Sequence, residues 1–332
     1  MAVLATSVAL LAACAAPDRR WSVREENDLF SSGAGRDRAY SQGLLLGWEA
    51  DPEGSLGRGA AAVLSPLGFL DPLPDESEPD VEHERTLRVF LEQRIYNPRD
   101  LDSMDFVPDE RPYAGILQLG ATARHARLDP DAARRRDWLY AFELALGVTG
   151  DWSLGEIAQR GVHYVLGEAD AAGWQYQVEE EVIVQTAWDL RNRTLYGRLG
   201  AAEFDLVSGA RLELGTAFTN GQLGVEARGG HNLSRNDRPW LGLTDDFAIW
   251  VSSGVNLRHA LYDITIDGSL WNDDPQISLT REESIWQWWF GLTTRWRGFT
   301  LGYRFLRQQK EYAQELGPHD WGTIALGYRY SF

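Results

Sequence analysis

The chain has 332 residues, of which 24% are charged and 11% aromatic, and a formal net charge of −17. That acidity excludes the basic patch that binds nucleic acid, and no apolar run reaches the about 18 residues of a helical membrane span. A mean hydropathy of −0.35 reads as soluble, yet a membrane β-barrel needs apolar residues only at alternate strand positions.

The first element is an apolar run, Val3 to Ala13, followed by small residues, which reads as a signal peptide over residues 1–16. Cleavage near Ala15 or Ala16 is expected, although Leu11-Ala12-Ala13-Cys14 also forms a lipoprotein box with Cys14 as the lipidated residue. Cys14 is the only cysteine, so no intramolecular disulfide forms. Residues 17–332 then make one domain, expected to be an all-β, transmembrane antiparallel β-barrel of about twelve strands with a short external helix. Period-two alternation places the strands at 21–29, 39–50, 85–96, 112–127, 137–149, 180–194, 203–216, 221–232, 246–258, 285–297, 299–312 and 321–332. The segment 51–84, rich in Pro, Gly, Asp and Glu, reads as a long inner connection with a short helix at Leu56 to Leu64. Arg297-Gly298 and Asn220-Gly221 are both hairpin signals. The last strand alternates Ile324, Leu326, Tyr328, Tyr330 and Phe332 on one face and ends the protein in phenylalanine, as the closing strand of an outer-membrane barrel does.

An even strand count leaves both termini on the periplasmic side. The connections 30–38, 97–111 and 150–179 then face outward. The third contains the predicted helix, with Asp151 or Ser153 as cap and Glu156 as capping-box partner. Leu154, Ile157, Ala158, Val162, Val165 and Leu166 recur at helical spacing, and Gln159 and His163, four apart, share one face.

Four polar clusters border these connections: Glu26-Asn27-Asp28, Asp37-Arg38-Ala39-Tyr40-Ser41, Glu110-Arg111-Pro112-Tyr113-Ala114-Gly115, and the pair Gln159 and His163. A serine nucleophile would want a Gly-x-Ser-x-Gly elbow, which is absent. A cysteine nucleophile is excluded if Cys14 leaves with the signal peptide, and His-Glu-x-x-His zinc spacing is absent too. A histidine base acting on water remains, beside hard oxygen ligands, Asp28 and Ser41 among them, that suit Ca²⁺. Each residue also has a bland reading. Asp28 caps a turn, His163 is a surface or packing histidine, Arg111 makes a loop ion pair, and Tyr40 and Tyr113 join an aromatic girdle. Their coincidence on one rim favours chemistry.

This ordered set resembles the outer-membrane lipid A 3'-O-deacylases, a family of twelve-stranded barrels. The matching elements are Glu-Asn-Asp at 26–28, Asp-Arg-x-Tyr-Ser-x-Gly at 37–43, Arg-Pro-Tyr-Ala-Gly at 111–115, Gln-x-x-x-His at 159–163, and Gly-Trp at 173–174 followed by Gln177. The resemblance implies a calcium-dependent esterase that removes the 3'-linked acyloxyacyl chain of lipid A. His163 would be the general base, Gln159 would orient or assist it, and Asn27 would belong to the active site. Asp28 and Ser41 would lie beside the metal, and Arg111 would contact the lipid A phosphate or sugar. A further acidic calcium ligand is expected shortly after the histidine, as Glu168 or Asp170. The family often has Asp where this chain has Glu110. The implied partner is lipid A, or lipopolysaccharide, in the outer membrane of a Gram-negative bacterium, with the protein acting as a monomer. An outer-membrane phospholipase and a porin or structural barrel with inert rim residues are the competing readings.

Overall fold

A computed structural model describes residues 19–31, 39–50, 64, 81–129, 131, 136–167, 171–235, 247–271 and 279–330. The signal segment with its lipobox, Asp37 and Arg38, the short helix expected before Leu64, Glu168, Asp170 and Phe332 lie outside the described residues. The strands are β1 (Arg19–Asn27), β2 (Ala39–Ala50), β3 (Glu82–Asn97), β4 (Ala114–Leu128), β5 (Trp138–Thr149), β6 (Val182–Leu199), β7 (Ala202–Gly215), β8 (Phe218–His231), β9 (Ala248–Asp263), β10 (Ser284–Trp296), β11 (Phe299–Gln308) and β12 (His319–Tyr330). Each pairs antiparallel with its sequence neighbours, and β12 pairs back onto β1 from Arg19↔Tyr330 to Asn27↔Gly322, so the barrel is closed and has no free edge.

Alternation sets the two faces of the wall. Leu91, Leu119 and Leu146 lie side by side across β3, β4 and β5, and Trp286, Trp288 and Phe290 line β10; all are exposed on the outside. Such a continuous apolar surface fits hydrocarbon and not water. The lumen carries the opposite set. Arg24 and Arg94 both bridge Glu92, at 3.0 and 2.8 Å, and Arg211 bridges Glu213 at 2.7 Å. Some contacts span the lumen from wall to wall. Arg94 on β3 lies 5.4 Å from the Phe218 ring on β8, and Arg304 on β11 meets Glu226 on β8 at 3.3 Å. A lumen laced in this way does not resemble an open channel.

The two hairpin signals fare differently. Arg297 (φ 48°) and Gly298 (φ 81°) make the two-residue turn between β10 and β11, both in the left-handed region that a primed turn requires. Asn220-Gly221, by contrast, lies inside β8, and the chain turns earlier, at Thr216-Ala217. Long-range bonds fix that earlier turn: the Thr216 N–H donates to Val184 O at 3.0 Å and the Ile264 N–H to Ala217 O at 2.9 Å. Asn220 faces the lumen instead and donates to Glu213 at 2.7 Å.

Candidate active site

The connection between β5 and β6 builds a shelf on the outside of the barrel. A 3₁₀ turn (Gly150–Ser153) leads through Leu154, in the left-handed region at φ 57°, into helix α1 (Gly155–Leu166). The expected capping box does not form. The Ser153 hydroxyl is held in the preceding turn, donating to Gly150 O at 2.6 Å and accepting the Gly155 N–H at 3.2 Å, while Glu156 pairs with Arg160 at 3.0 Å. Gln93 on β3, on the outer face of the wall, donates to Ser153 O at 2.7 Å and ties the turn down.

Two glycines let the helix touch the wall. A Cβ on Gly115 of β4 would lie 2.0 Å from Ser153 Oγ, and one on Gly155 would lie 3.0 Å from the Gly115 Cα. Gly115→Ala is therefore expected to lift the shelf while leaving the strand register intact. The barrel should keep its heat-modifiable gel mobility, proteolysis between residues 150 and 180 should accelerate, and any turnover at the site should fall by about 100-fold, the scale of a 1 Å misplacement.

The helix inverts the orientation usual in water. Ile157 is 70% exposed and Tyr164 88% exposed, and Trp152, Leu154 and Val165 are also open. These side chains are open on the outer surface of the shelf. The polar face turns inward: Gln159 and His163 are both buried. Ala158 packs on the cluster of Ile95, Tyr113, Ala171 and Trp174. The Trp174 indole N–H donates to Gln159 Oε1 at 2.9 Å, and Tyr113 stacks on the same indole at 4.9 Å. Tyr113 is thus part of the shelf and not of an aromatic girdle. Gln159 Nε2 has no hydrogen-bond partner among the described residues, so a fixed donor lies one helical turn from His163. Trp174→Phe keeps the stacking and removes the N–H. It should cost about 1 kcal/mol of local stability and lower kcat with KM nearly unchanged, as steady-state kinetics would show.

The other polar residues converge from β1, β2 and β3. Asn27, buried, ends β1, and Asp28, also buried, opens a single 3₁₀ turn, Asp28–Phe30. Ser31 closes that turn, its hydroxyl donating to Asp28 O at 2.7 Å. Phe30 fills the space a side chain at 322 would need, 2.4 Å from a Cβ built on Gly322, so the turn folds tightly over β12. A bulge between Tyr40 and Gln42 splits the next two side chains. Tyr40 donates to Glu26 at 2.5 Å in the lumen and packs on Trp321, again not in a girdle, while Ser41 is buried against Asn97. Asn97, fully buried, ends β3 and donates from Nδ2 to Ser41 Oγ at 2.5 Å. Sequence reasoning missed Asn97, because Asn97-Pro98 reads locally as a turn opener. Asn27 and Asn97 have the strand parity of the exposed Leu91 and of Gln93. Asn27 and Asn97 therefore belong to the outer side of the wall, at the end from which α1 projects.

Arg111 is placed apart from that group. Its guanidinium is fully buried in the mouth of the barrel, 2.7 Å from Glu311 and 5.0 Å from the centroid of the lumenal Tyr96 ring. Glu311 also binds Arg258 of β9. Burial alone would raise the Glu311 carboxyl, but Arg111 and Arg258 outweigh it and hold the group well below the usual carboxylate range. The triad ties the β3–β4 connection to β9 and to the β11–β12 connection, across the opening. Glu110 meanwhile accepts the Arg99 N–H at 2.7 Å and bridges its guanidinium at 3.0 Å.

The donors that Asp28, Ser41 and Asn97 offer are carboxylate, hydroxyl and amide oxygens, a set that fits a hard cation such as Ca²⁺ better than Zn²⁺. Among the described residues, no group of three His, Cys, Asp or Glu is gathered to hold a metal.

A closed twelve-stranded antiparallel barrel with an apolar outer belt defines an outer-membrane β-barrel protein. More particularly, the chain belongs to the family of outer membrane protein LpxR, whose family model matches residues 1–330. Its fold is similar to that of LpxR from Salmonella typhimurium, with a TM-score of 0.71 at 15% identity over 93% of this chain and 99% of that one. The beta domain of the Bordetella autotransporter BrkA follows at a TM-score of 0.46 and 12% identity, covering 95% of this chain and 98% of that one. No curated protein matches the sequence.

Proposed function

We propose that the protein is a calcium-dependent hydrolase that removes the 3'-linked acyloxyacyl chain from lipid A in the outer leaflet. One observation carries this reading. Gln159 and His163 are buried against the outside of a membrane barrel, on a helix whose opposite face is apolar and open. A pore has no use for such a site, whereas a lipid ester lying beside the wall reaches it directly. The membership in the LpxR family supports a deacylase over a phospholipase.

In this reaction His163 takes a proton from water as the water oxygen attacks the ester carbonyl, and returns it to the departing alkoxide of the sugar. Gln159, clamped by Trp174, holds its N–H donors beside the imidazole. Asn27 offers a neutral amide donor to the oxyanion. Asp28 and Ser41 would hold Ca²⁺, joined by Glu168 or Asp170. Bound there, the cation would stabilise negative charge developing on the carbonyl oxygen. The shelf keeps bulk water out through Ile157, Tyr164 and Val165, which meet lipid. Substrate contact by Arg111 would require its release from Glu311. We propose that it positions the β3–β4 connection instead. The proposed site is drawn from one chain, so a monomer would suffice for the reaction.

Release of fatty acid from purified lipid A and from glycerophospholipid, measured side by side in calcium, tests the substrate class. Hydrolysis of lipid A alone is expected. Turnover of phospholipid alone would replace this reading with the phospholipase.

A further inference from the structure

Asn97 is fully buried at the end of β3, 56 residues from Ser41 in sequence, yet in contact with it. Its two polar atoms are used unequally. Nδ2 donates to Ser41 Oγ at 2.5 Å, while Oδ1 is buried with no hydrogen-bond partner among the described residues. A buried amide oxygen without a donor is costly, and a native structure keeps one where something else approaches it.

The geometry limits what that is. The two polar atoms of one carboxamide are about 2.2 Å apart, so Oδ1 and Ser41 Oγ both fall within the roughly 5 Å span of a Ca²⁺ coordination shell. The amide proton engages the Ser41 oxygen and leaves the hydroxyl hydrogen to point elsewhere, which fixes the rotamer. Asn27, at the end of β1, pairs with Gln42, the residue next to Ser41, so Asp28 follows on the same edge. An amide oxygen also adds no charge, which suits a site already holding carboxylates.

We propose that Asn97 is part of the cation site, its Nδ2 fixing the Ser41 hydroxyl and its Oδ1 serving as a neutral oxygen ligand for a hard divalent cation. This inference rests on the calcium-dependent reading given above. It adds a ligand that neither the motifs nor the family match assigns.

The test uses the full chain in detergent micelles and calcium chloride alone as the probe. Binding is read by titration calorimetry and by the calcium-dependent rise in Tm, with heat-modifiable gel mobility as the check on folding. Asn97→Ala and Asn97→Leu should weaken calcium binding by about tenfold or more, as loss of groups that support a metal does. Asn97→Asp loses the Nδ2 donor but keeps an oxygen at the Oδ1 position, and should bind calcium more tightly than Asn97→Ala. Unchanged Kd in folded Asn97→Ala would overturn the role of Asn97 while leaving the calcium reading intact, as would binding in Asn97→Asp no tighter than in Asn97→Ala. A parent protein that binds no calcium would overturn both.

Discussion

His163→Ala is expected to lower the deacylation rate by about 10³-fold, within the range that a positioned general base contributes. The barrel should fold as before, because His163 lies on α1 and takes no part in the strand pairing that closes the wall. KM should change little, since in the proposed reaction the imidazole acts on the water and not on the acyl chain. The comparison with Trp174→Phe is informative. In the proposed reaction His163 is the proton acceptor, whereas Trp174 bonds Gln159, one helical turn away. A His163→Ala protein that folded and retained most of its activity would remove the histidine from the reaction.

Arg111→Ala should produce the largest loss of stability, roughly 3–5 kcal/mol, because it leaves a buried carboxylate short of a partner. Of its two arginine partners Glu311 would keep Arg258, and the Tyr96 and Tyr312 rings would lose the cation lying 5.0 and 5.7 Å from their centroids. Urea unfolding in micelles measures the effect. The pH dependence has a definite sign. Glu311 has a depressed carboxyl in the folded protein, so its contribution is fully present above the unfolded value of about 4.3 and declines as pH falls below it. The stability gap between parent and Arg111→Ala should thus be constant at neutral pH and narrow below about pH 4. A gap that widened in acid would contradict the pairing. If activity fell as far as stability at a temperature where the variant is folded, Arg111 would have the substrate contact that the motif resemblance implies.

The strands were legible because each is a local pattern: alternation over nine or more residues sets a face, and a closed barrel follows from many such faces. Arg297-Gly298 was legible for the same reason. Asn220-Gly221 misled because a local turn preference yields to register, and the pairing of β7 with β8 is fixed by bonds from β6 and from the short helix α2 (Ile264–Asp267). The helix was found, but its apolar residues pointed the wrong way for a protein in water. Only the position of the shelf, outside the wall, shows that Ile157 and Val165 are open while Gln159 and His163 are buried. Asn97 and the pairing of Arg111 with Glu311 were beyond reach. Their contacts close over 56 and 200 residues, and no periodicity encodes such a distance.

Mass spectrometry of lipid A from a Gram-negative host expressing the intact protein, with calcium present and again with a chelator, tests the central claim most directly. The expected result is a new lipid A species lacking the mass of the 3'-linked acyloxyacyl group, formed in calcium and lost on chelation. Lipid A of unchanged mass in calcium, with the folded barrel demonstrated in the outer membrane of the same cells, would contradict it.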